Sequence, residues 1–191
     1  MAAAPARPAW SPVPLRVSNK GYVIQVDDTA PSSFTFEGTR YTLAQFHVHT
    51  PAEHSIAGRA FDAELHLVHK SADGKILVIA LLFVVGNENA TLEPVWDAMP
   101  AQRGPAPVEV AGVAVDVSSL LPKAPRYLRY DGSLTVPPCT EGVTWLVVEP
   151  DASTPLQVSA QQIARMRAIL GGDTRRPIQD RRGRAIVELV P

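Results

Sequence analysis

All five histidines of this chain lie between positions 47 and 69, which concentrates metal-binding and proton-transferring chemistry in one short region. In an extended strand over residues 40–49, alternate side chains share a face, so His47 and His49 point the same way. Their Cα atoms then stand about 7 Å apart, a separation that two imidazoles can close onto one ion. The spacing therefore predicts a two-histidine metal motif on one strand.

The segment ELHLVH places Glu64, His66 and Val68 on one face of a second strand and His69 on the other. If the two strands pair, His66 supplies a third nitrogen. Three neutral imidazoles around Zn²⁺ leave a fourth position for water, as in catalytic and not in closed structural sites. Water in such a position has a pKa of about 7.

Histidine ligands need acceptors that fix the orientation of their rings. Gln45 and Glu64, each two residues from a ligand and on the same face, are predicted to provide them outside the direct ligand set. His54 and His69 fall off this face, so we expect them to be structural hydrogen-bonding residues.

The bulk composition favours a small-molecule partner. The 191 residues carry 18 basic and 19 acidic side chains, a net charge of -1, which gives no field to recruit nucleic acid or an anionic membrane. The longest apolar run, 76–85, has about half the length of a membrane-spanning helix. Cys139 is the single cysteine, which excludes an intrachain disulfide and a cysteine-based zinc cluster.

Eighteen prolines and many short β-branched runs predict a mainly β protein with one large sheet. A helix is expected at Ser159–Leu170, with Ser159 and Gln162 as a capping box, and a shorter one at Leu92–Met99. We expect an irregular extension over 1–13 and one domain over 14–191. The predicted strands are 22–26, 33–36, 40–49, 63–71, 76–85, 113–117, 127–134, 143–149 and 185–189.

Three segments, QFHVHTPAEH, ELHLVH and GSLTVPPCTEGVTW, together resemble the alpha-class carbonic anhydrases, particularly bacterial members. Weaker likeness extends from about Pro14 to the end. The resemblance implies a large twisted, mostly antiparallel sheet with a few short helices and a metal at the base of a conical cleft. It also implies reversible hydration of carbon dioxide to bicarbonate and a proton by a zinc-bound hydroxide; this family is the standard example of the lowered water pKa.

The same resemblance assigns roles to individual residues. His47, His49 and His66 match the zinc ligands. Thr135 matches the threonine that accepts a hydrogen bond from the hydroxide and donates its own proton to a glutamate, here Glu53. The residues that match the apolar substrate pocket are Val68, Val78, Leu134, Val136, Val143 and Trp145.

The chain departs from the family pattern at several points. The usual N-terminal segment with a Gln-Ser-Pro-Ile-like motif is absent, so we expect Cys139 to lack its usual partner and remain a free thiol. Tyr22 replaces the proton-shuttle histidine, and a phenol with a pKa of about 10 is poorly suited to that task. Val136 replaces a second threonine. Thr174 replaces an asparagine, but there the family uses a backbone carbonyl to contact a zinc ligand.

Several alternatives stay open at this point. His47, His49 and Glu53 also fit the first metal motif of the cupins, and a carbonic-anhydrase-like module could bind zinc with impaired catalysis. Apolar surface exposed by the absent segment could be covered by a second subunit, so a homodimer is also open. The resemblance suggests a periplasmic or secreted protein, whereas residues 1–14 contain no signal-like apolar core.

Overall fold

The computed structural model describes residues 2–3, 5–104 and 106–191. Met1 and Ala4, which fall in the predicted extension, and Pro105 lie outside the described residues. Strands are the commonest regular structure in the chain, and they belong to one sheet. The strands are β1 Ala2–Ala3, β2 Val13–Asn19, β3 Ile24–Asp27, β4 Ser33–Phe36, β5 Thr39–His49, β6 Ala63–Ser71, β7 Ile76–Val85, β8 Val108–Val115, β9 Tyr127–Ser133, β10 Glu141–Val148, β11 Leu156–Val158 and β12 Val187–Val190.

The sheet runs in the order β1-β12-β9-β10-β7-β6-β5-β3-β2-β8, with β4 added to β5 and β11 added to β7. Most neighbours are antiparallel, and β7 pairs in parallel with β10 and β11, as β1 does with β12. The predicted mainly β fold with a large, mostly antiparallel sheet is confirmed. The strands that carry the histidines, β5 and β6, lie near its centre.

The apolar side chains divide between the two faces of the central strands. From β7, Leu77, Ile79 and Leu81 enter the larger core, whereas Val78 and Leu82 enter a smaller cluster on the opposite face. Because both faces are covered, β7 is a continuous apolar run and shows no alternation. The smaller cluster lies on the same face of the sheet as His47, His49 and His66, so packed apolar side chains support the histidines.

Two short helices lie outside the sheet. Helix α2, Ala160–Leu170, begins after Ser159 with the predicted capping box and ends at Gly171, whose φ of 78° suits glycine. Helix α1, Glu93–Ala98, is shorter than the predicted span 92–99. Among the described residues, no helix has the length and apolarity that crossing a membrane requires.

Some predicted strands are displaced in the structure. The strand expected at 113–117 is β8, Val108–Val115, and ends earlier because Asp116 caps a 3₁₀ turn at Val117–Leu120. The strand expected at 22–26 begins at Ile24, since the turn before it uses Gly21 at a φ of 89°. The strand expected at 185–189 is β12, two residues later. The remaining predicted strands agree with the structure within two residues.

The sequence did not indicate β1, β2 or β11, and β1 lies in the segment expected to be irregular. Strand β2 contains Pro14, which disfavours a strand interior, but its ladder with β8 shifts register at that point. Before β2, Ala9 bridges to Ser33 and Trp10 is buried in the larger core. Part of the segment expected to be irregular therefore packs against the sheet, and the division at 13/14 stays a prediction.

Candidate metal centre

The register of β5 and β6 brings three histidines together. His47 lies directly opposite His66, and His49 lies opposite Glu64. The ring centroids are 5.0 Å apart for His47 and His49, 5.2 Å for His47 and His66, and 4.8 Å for His49 and His66. One nitrogen from each ring lies within 4.8 Å of the others. The cross-strand pair and the period of two therefore produce a three-nitrogen cluster.

Hydrogen bonds fix the orientation of the two histidines on β5. His47 Nδ1 donates to Gln45 Oε1 at 2.8 Å, and His49 Nδ1 donates to the carbonyl oxygen of Thr174 at 2.9 Å. Both acceptors hold the ring proton on Nδ1, so Nε2 of each ring is left with a lone pair. Gln45 is therefore a hydrogen-bond acceptor for a histidine on its own strand.

On β6, Glu64 orients His66 in the opposite sense. His66 Nε2 donates to Glu64 Oε1 at 2.7 Å, which leaves Nδ1 as the nitrogen with a lone pair. Glu64 Oε2 accepts the backbone N–H groups of Glu53 and His54, both at 2.8 Å, and Oε1 also bonds His54 Nδ1 at 2.5 Å. Because four donors surround it, this buried carboxylate holds a ring and a loop in fixed positions.

The electrostatics of the cluster favour neutral rings. Burial, followed by the neighbouring His49 and His66, holds the pKa of His47 well below its ordinary value. Burial and then His66 lower the pKa of His49 to about 4. Burial by itself raises the pKa of Glu64, but His54 and His66 outweigh it and hold that pKa well below its usual value. Neutral imidazoles beside an ionised carboxylate suit a cation.

The chemistry of these donors fits a divalent metal ion. His49 Nε2 is buried and has no hydrogen-bond partner among the described residues, although buried ring nitrogens are normally satisfied. His49 belongs to the cluster formed with His47 and His66, and three imidazole nitrogens are a common zinc set. A second group, His54, Glu64 and His66, fits less well, because its members already hydrogen-bond to one another.

A cleft of about 200 Å³ opens in front of the cluster. His47 and His66 line it, and Tyr22, which is 48% exposed, also contributes to its wall. The residues predicted for the substrate pocket that line this cleft are Val68, Val78, Leu134, Val136 and Trp145. Val143 does not line it; it is buried behind the wall in the smaller core cluster.

Sequence reasoning missed four residues of the cleft wall: Val23, Gln25, Lys70 and Ile76. Lys70 could have been found from strand periodicity, and Gln25 from the pairing of two neighbouring strands. Lys70 follows Val68 by two residues and shares its face, and Gln25 is paired with His47 across β3 and β5. Lys70 places a positive charge at the wall.

The structure does not join Thr135 to Glu53 by a hydrogen bond. Glu53 Oε1 accepts the backbone N–H of Arg176 at 2.6 Å, and Oε2 lies 3.6 Å from His49 Nε2. That Oε2 is buried and lacks a hydrogen-bond partner within the described part of the chain. Thr135 lines the cleft beside the histidines. One oxygen of the Glu53 carboxylate is therefore held by the backbone, and the other still lacks a donor among the residues that the structure describes.

The other two histidines make structural hydrogen bonds. His54 Nε2 donates to the hydroxyl oxygen of Tyr130 at 2.7 Å, while its Nδ1 bonds Glu64. Burial lowers the pKa of His54, but the charge of Glu64 outweighs burial and the pKa is raised. His69 is on the opposite face of β6, where it accepts a hydrogen bond from Trp10. Cys139 is a free thiol.

Comparisons with known proteins agree on one family. A sequence model described as eukaryotic-type carbonic anhydrase matches residues 9–189. The chain is 38% identical over 177 residues to a carbonic anhydrase of Klebsiella pneumoniae, covering 92% of this chain and 70% of that protein. It is 37% identical over 180 residues to one of Neisseria gonorrhoeae, covering 94% and 69%.

Solved structures of the same type share the fold. The alpha-carbonic anhydrase of Thermovibrio ammonificans, solved with the inhibitor sulfanilamide, superposes with a TM-score of 0.88 at 35% identity. The match covers 97% of this chain and 80% of that one. A hyperthermostable carbonic anhydrase from a hydrothermal vent chimney gives a TM-score of 0.91 at 36% identity, covering 99% and 82%.

Proposed function

This chain belongs to the eukaryotic-type, or alpha, carbonic anhydrase family, and from that premise we propose that His47, His49 and His66 hold a zinc ion for the reversible hydration of carbon dioxide. Family membership makes the protein a carbonic anhydrase and removes the basis of the cupin-like alternative. The identity of the ion and the roles of single residues are parts of the proposal.

One observation carries the proposal: each of the three rings has one nitrogen committed to an acceptor, and one nitrogen from each ring lies within 4.8 Å of the others. A histidine cluster without a ligand role would have no reason to leave His49 Nε2 buried and unpartnered. When bound, zinc would act as a Lewis acid that polarises a water molecule and lowers its pKa to about 7. The chain itself orients the three imidazoles and shapes the cleft in front of them.

The cleft wall suits an uncharged substrate. Val68, Val78 and Trp145 present apolar surface next to His66, and carbon dioxide has no charge with which to recruit polar groups. Trp145 is held by its indole N–H, which donates to the carbonyl oxygen of Ser133 at 3.1 Å. A rigid apolar wall beside the histidines would place the substrate carbon close to the attacking oxygen.

Thr135 and Glu53 would control the orientation of that oxygen. The unpartnered, buried Oε2 of Glu53 is the acceptor that a donated Thr135 hydroxyl proton would satisfy. With its proton committed to Glu53, the Thr135 oxygen could only accept a hydrogen bond from the reacting group. We expect Thr135 to be the partner that moves to complete this relay, since Glu53 is already fixed by the backbone N–H of Arg176.

Tyr22 is not suited to carry away the proton that the reaction releases. Its phenol stands at the cleft wall where the family shuttle is an imidazole, and imidazole is the side chain suited to exchanging protons near neutral pH. Buffer molecules would then carry the proton away. Turnover is expected to be slower than in relatives with the histidine and to rise with imidazole-type buffers.

The experiment is stopped-flow measurement of carbon dioxide hydration on the protein as purified, after chelation and after addition of zinc. We expect activity to disappear with the metal and return with zinc, and His66→Ala to remain inactive in all three states. His69→Gln, a change on the same strand but the opposite face, is the matched control and should keep activity. Full activity in His66→Ala would refute the proposal.

A further inference from the structure

A second cavity, of about 230 Å³, lies beside the cleft and shares only Thr135 with its wall. Its apolar side is formed by the ring of Tyr130 together with Ile178 and Ile186. Those two isoleucines are 68% and 48% exposed, so they place apolar surface in contact with solvent at the side of the cavity. The catalytic proposal gives this space no role.

Arginines form the other side of this cavity. Arg176, Arg181 and Arg184 line it, and residues 175–184 carry five arginines against the single acidic residue Asp180. None of the lining arginines takes part in the ion pairs formed within the described ranges. The chain as a whole is nearly neutral, so this positive charge is a local feature.

The hydrogen bonds made by Arg181 and Arg184 show how much of each guanidinium is free to bind an anion. Arg181 Nε donates to the carbonyl oxygen of Arg184, and Arg184 Nε and Nη2 donate to those of Arg181 and Asp180. These bonds fix the loop but use only part of each guanidinium, which has five N–H donors. Arg184 also lies over the ring of Tyr130, with Cζ 5.9 Å from the centroid.

Two polar residues elsewhere in the wall, Tyr130 and Glu53, already make hydrogen bonds. The Tyr130 hydroxyl bonds His54 Nε2, and Glu53 Oε1 accepts from the backbone of Arg176. A ligand carboxylate would be repelled by Glu53 and attracted by Arg181 and Arg184. The apolar part of such a ligand would then lie against Ile178 and Ile186.

We propose that this cavity binds a small organic carboxylate with an apolar body, held by Arg181 and Arg184 at its charged end. The volume is below the ~300–1,000 Å³ of sites for drug-sized ligands, which limits the occupant to a single ring or a short branched chain. A guanidinium beside an apolar wall recognises a carboxylate through charge-assisted, often bidentate hydrogen bonds. The site does not require the metal.

The test uses benzoate as the probe and the isoleucine methyl groups as reporters in NMR spectra of the zinc-loaded protein. We expect the methyl signals of Ile178 and Ile186 to shift and saturate as benzoate is added. Benzamide, which has the same ring and no charge, should leave them in place. Saturable shifts with benzamide of equal affinity would overturn the role of the arginines, and unchanged isoleucine signals with benzoate would overturn the site.

Variants distinguish the arginine contacts from a general charge effect. Arg181→Gln and Arg184→Gln should each weaken benzoate binding about tenfold, because each removes a charge-assisted hydrogen bond. Arg175→Gln removes a charge from the same segment but not from the cavity wall and should leave the affinity unchanged. Ile186→Glu, at an exposed position where folding should persist, should abolish binding by repulsion. Equal losses in all four variants, or none, would contradict the proposal.

Discussion

The buried ring of His69 should make the folding stability of this protein depend on pH in a predictable way. His69 Nδ1 donates to the carbonyl oxygen of Leu67 at 2.8 Å, and Nε2 accepts from the indole N–H of Trp10 at 3.0 Å. Burial lowers its pKa to about 4. A proton on Nε2 would face the Trp10 N–H with no acceptor between them, so the fold requires the neutral ring.

The magnitude follows from the difference between the folded and unfolded pKa of His69. The folded value of about 4 lies below the ordinary 6.5, so the unfolded chain takes up the proton first as pH falls. The stability contributed by the neutral ring is complete above pH 6.5 and is lost progressively down to pH 4. Through His69 alone, the free energy of unfolding should be about 2 kcal/mol lower at pH 5 than at pH 7.5.

The assay compares urea unfolding of the wild type and His69→Gln at pH 7.5 and pH 5, both without metal. Glutamine does not titrate and its amide oxygen can still accept from Trp10. Both proteins keep His47, His49 and His66, so the contributions of those rings cancel in the difference. The wild type should lose about 2 kcal/mol relative to the variant at the lower pH. A difference that is independent of pH, or an NMR titration of His69 near 6.5, would refute the reasoning.

Three further predictions concern the site. Glu64→Gln weakens the acceptor of His66 and should lower zinc affinity about 10- to 100-fold, measured in competition with a chelating dye. The control is Glu149→Gln, which changes a half-buried carboxylate paired with Arg126 and should leave zinc affinity unchanged. Equal affinities of the two variants would contradict the role of Glu64. Thr135→Val should reduce kcat/KM for hydration about 10- to 100-fold at unchanged zinc content, and Thr135→Ser should retain most of it; a fully active valine variant would exclude the relay. Tyr22→His should raise turnover in weak buffer and make turnover less dependent on added imidazole in stopped-flow assays. Tyr22→Phe is the control and should leave both quantities unchanged. A histidine variant whose turnover still depends on imidazole would count against the proton-release argument.

Local sequence patterns were sufficient to group the candidate ligands. Side-chain alternation along β5 and β6 is a property of the pleat, so the shared face of His47, His49 and Gln45 follows from spacing alone. The bounds of β6 and β7 were also predictable, because a turn at Asp73 and Gly74 separates two strongly apolar runs. The capping box of α2 is another local signal that the structure confirms.

Contacts between residues that are far apart in the sequence have no local sequence pattern from which they could be predicted. His49 Nδ1 bonds Thr174, which is 125 residues away, and only the family resemblance implied that contact. Trp10 reaches His69 across 59 residues from a segment expected to be irregular. Strand β11 has three residues and exists because β7 offers it a parallel edge, which no local propensity encodes. Tertiary pairing, and not intrinsic preference, decides such elements.

The most direct test of the central claim is anomalous diffraction at the zinc edge from crystals of the zinc-loaded protein. The account predicts one strong peak, bonded to Nε2 of His47, Nε2 of His49 and Nδ1 of His66 at about 2.0–2.1 Å, with solvent at the fourth position. An anomalous peak between His54 and Glu64, or crystals that bind no zinc at all, would contradict the account.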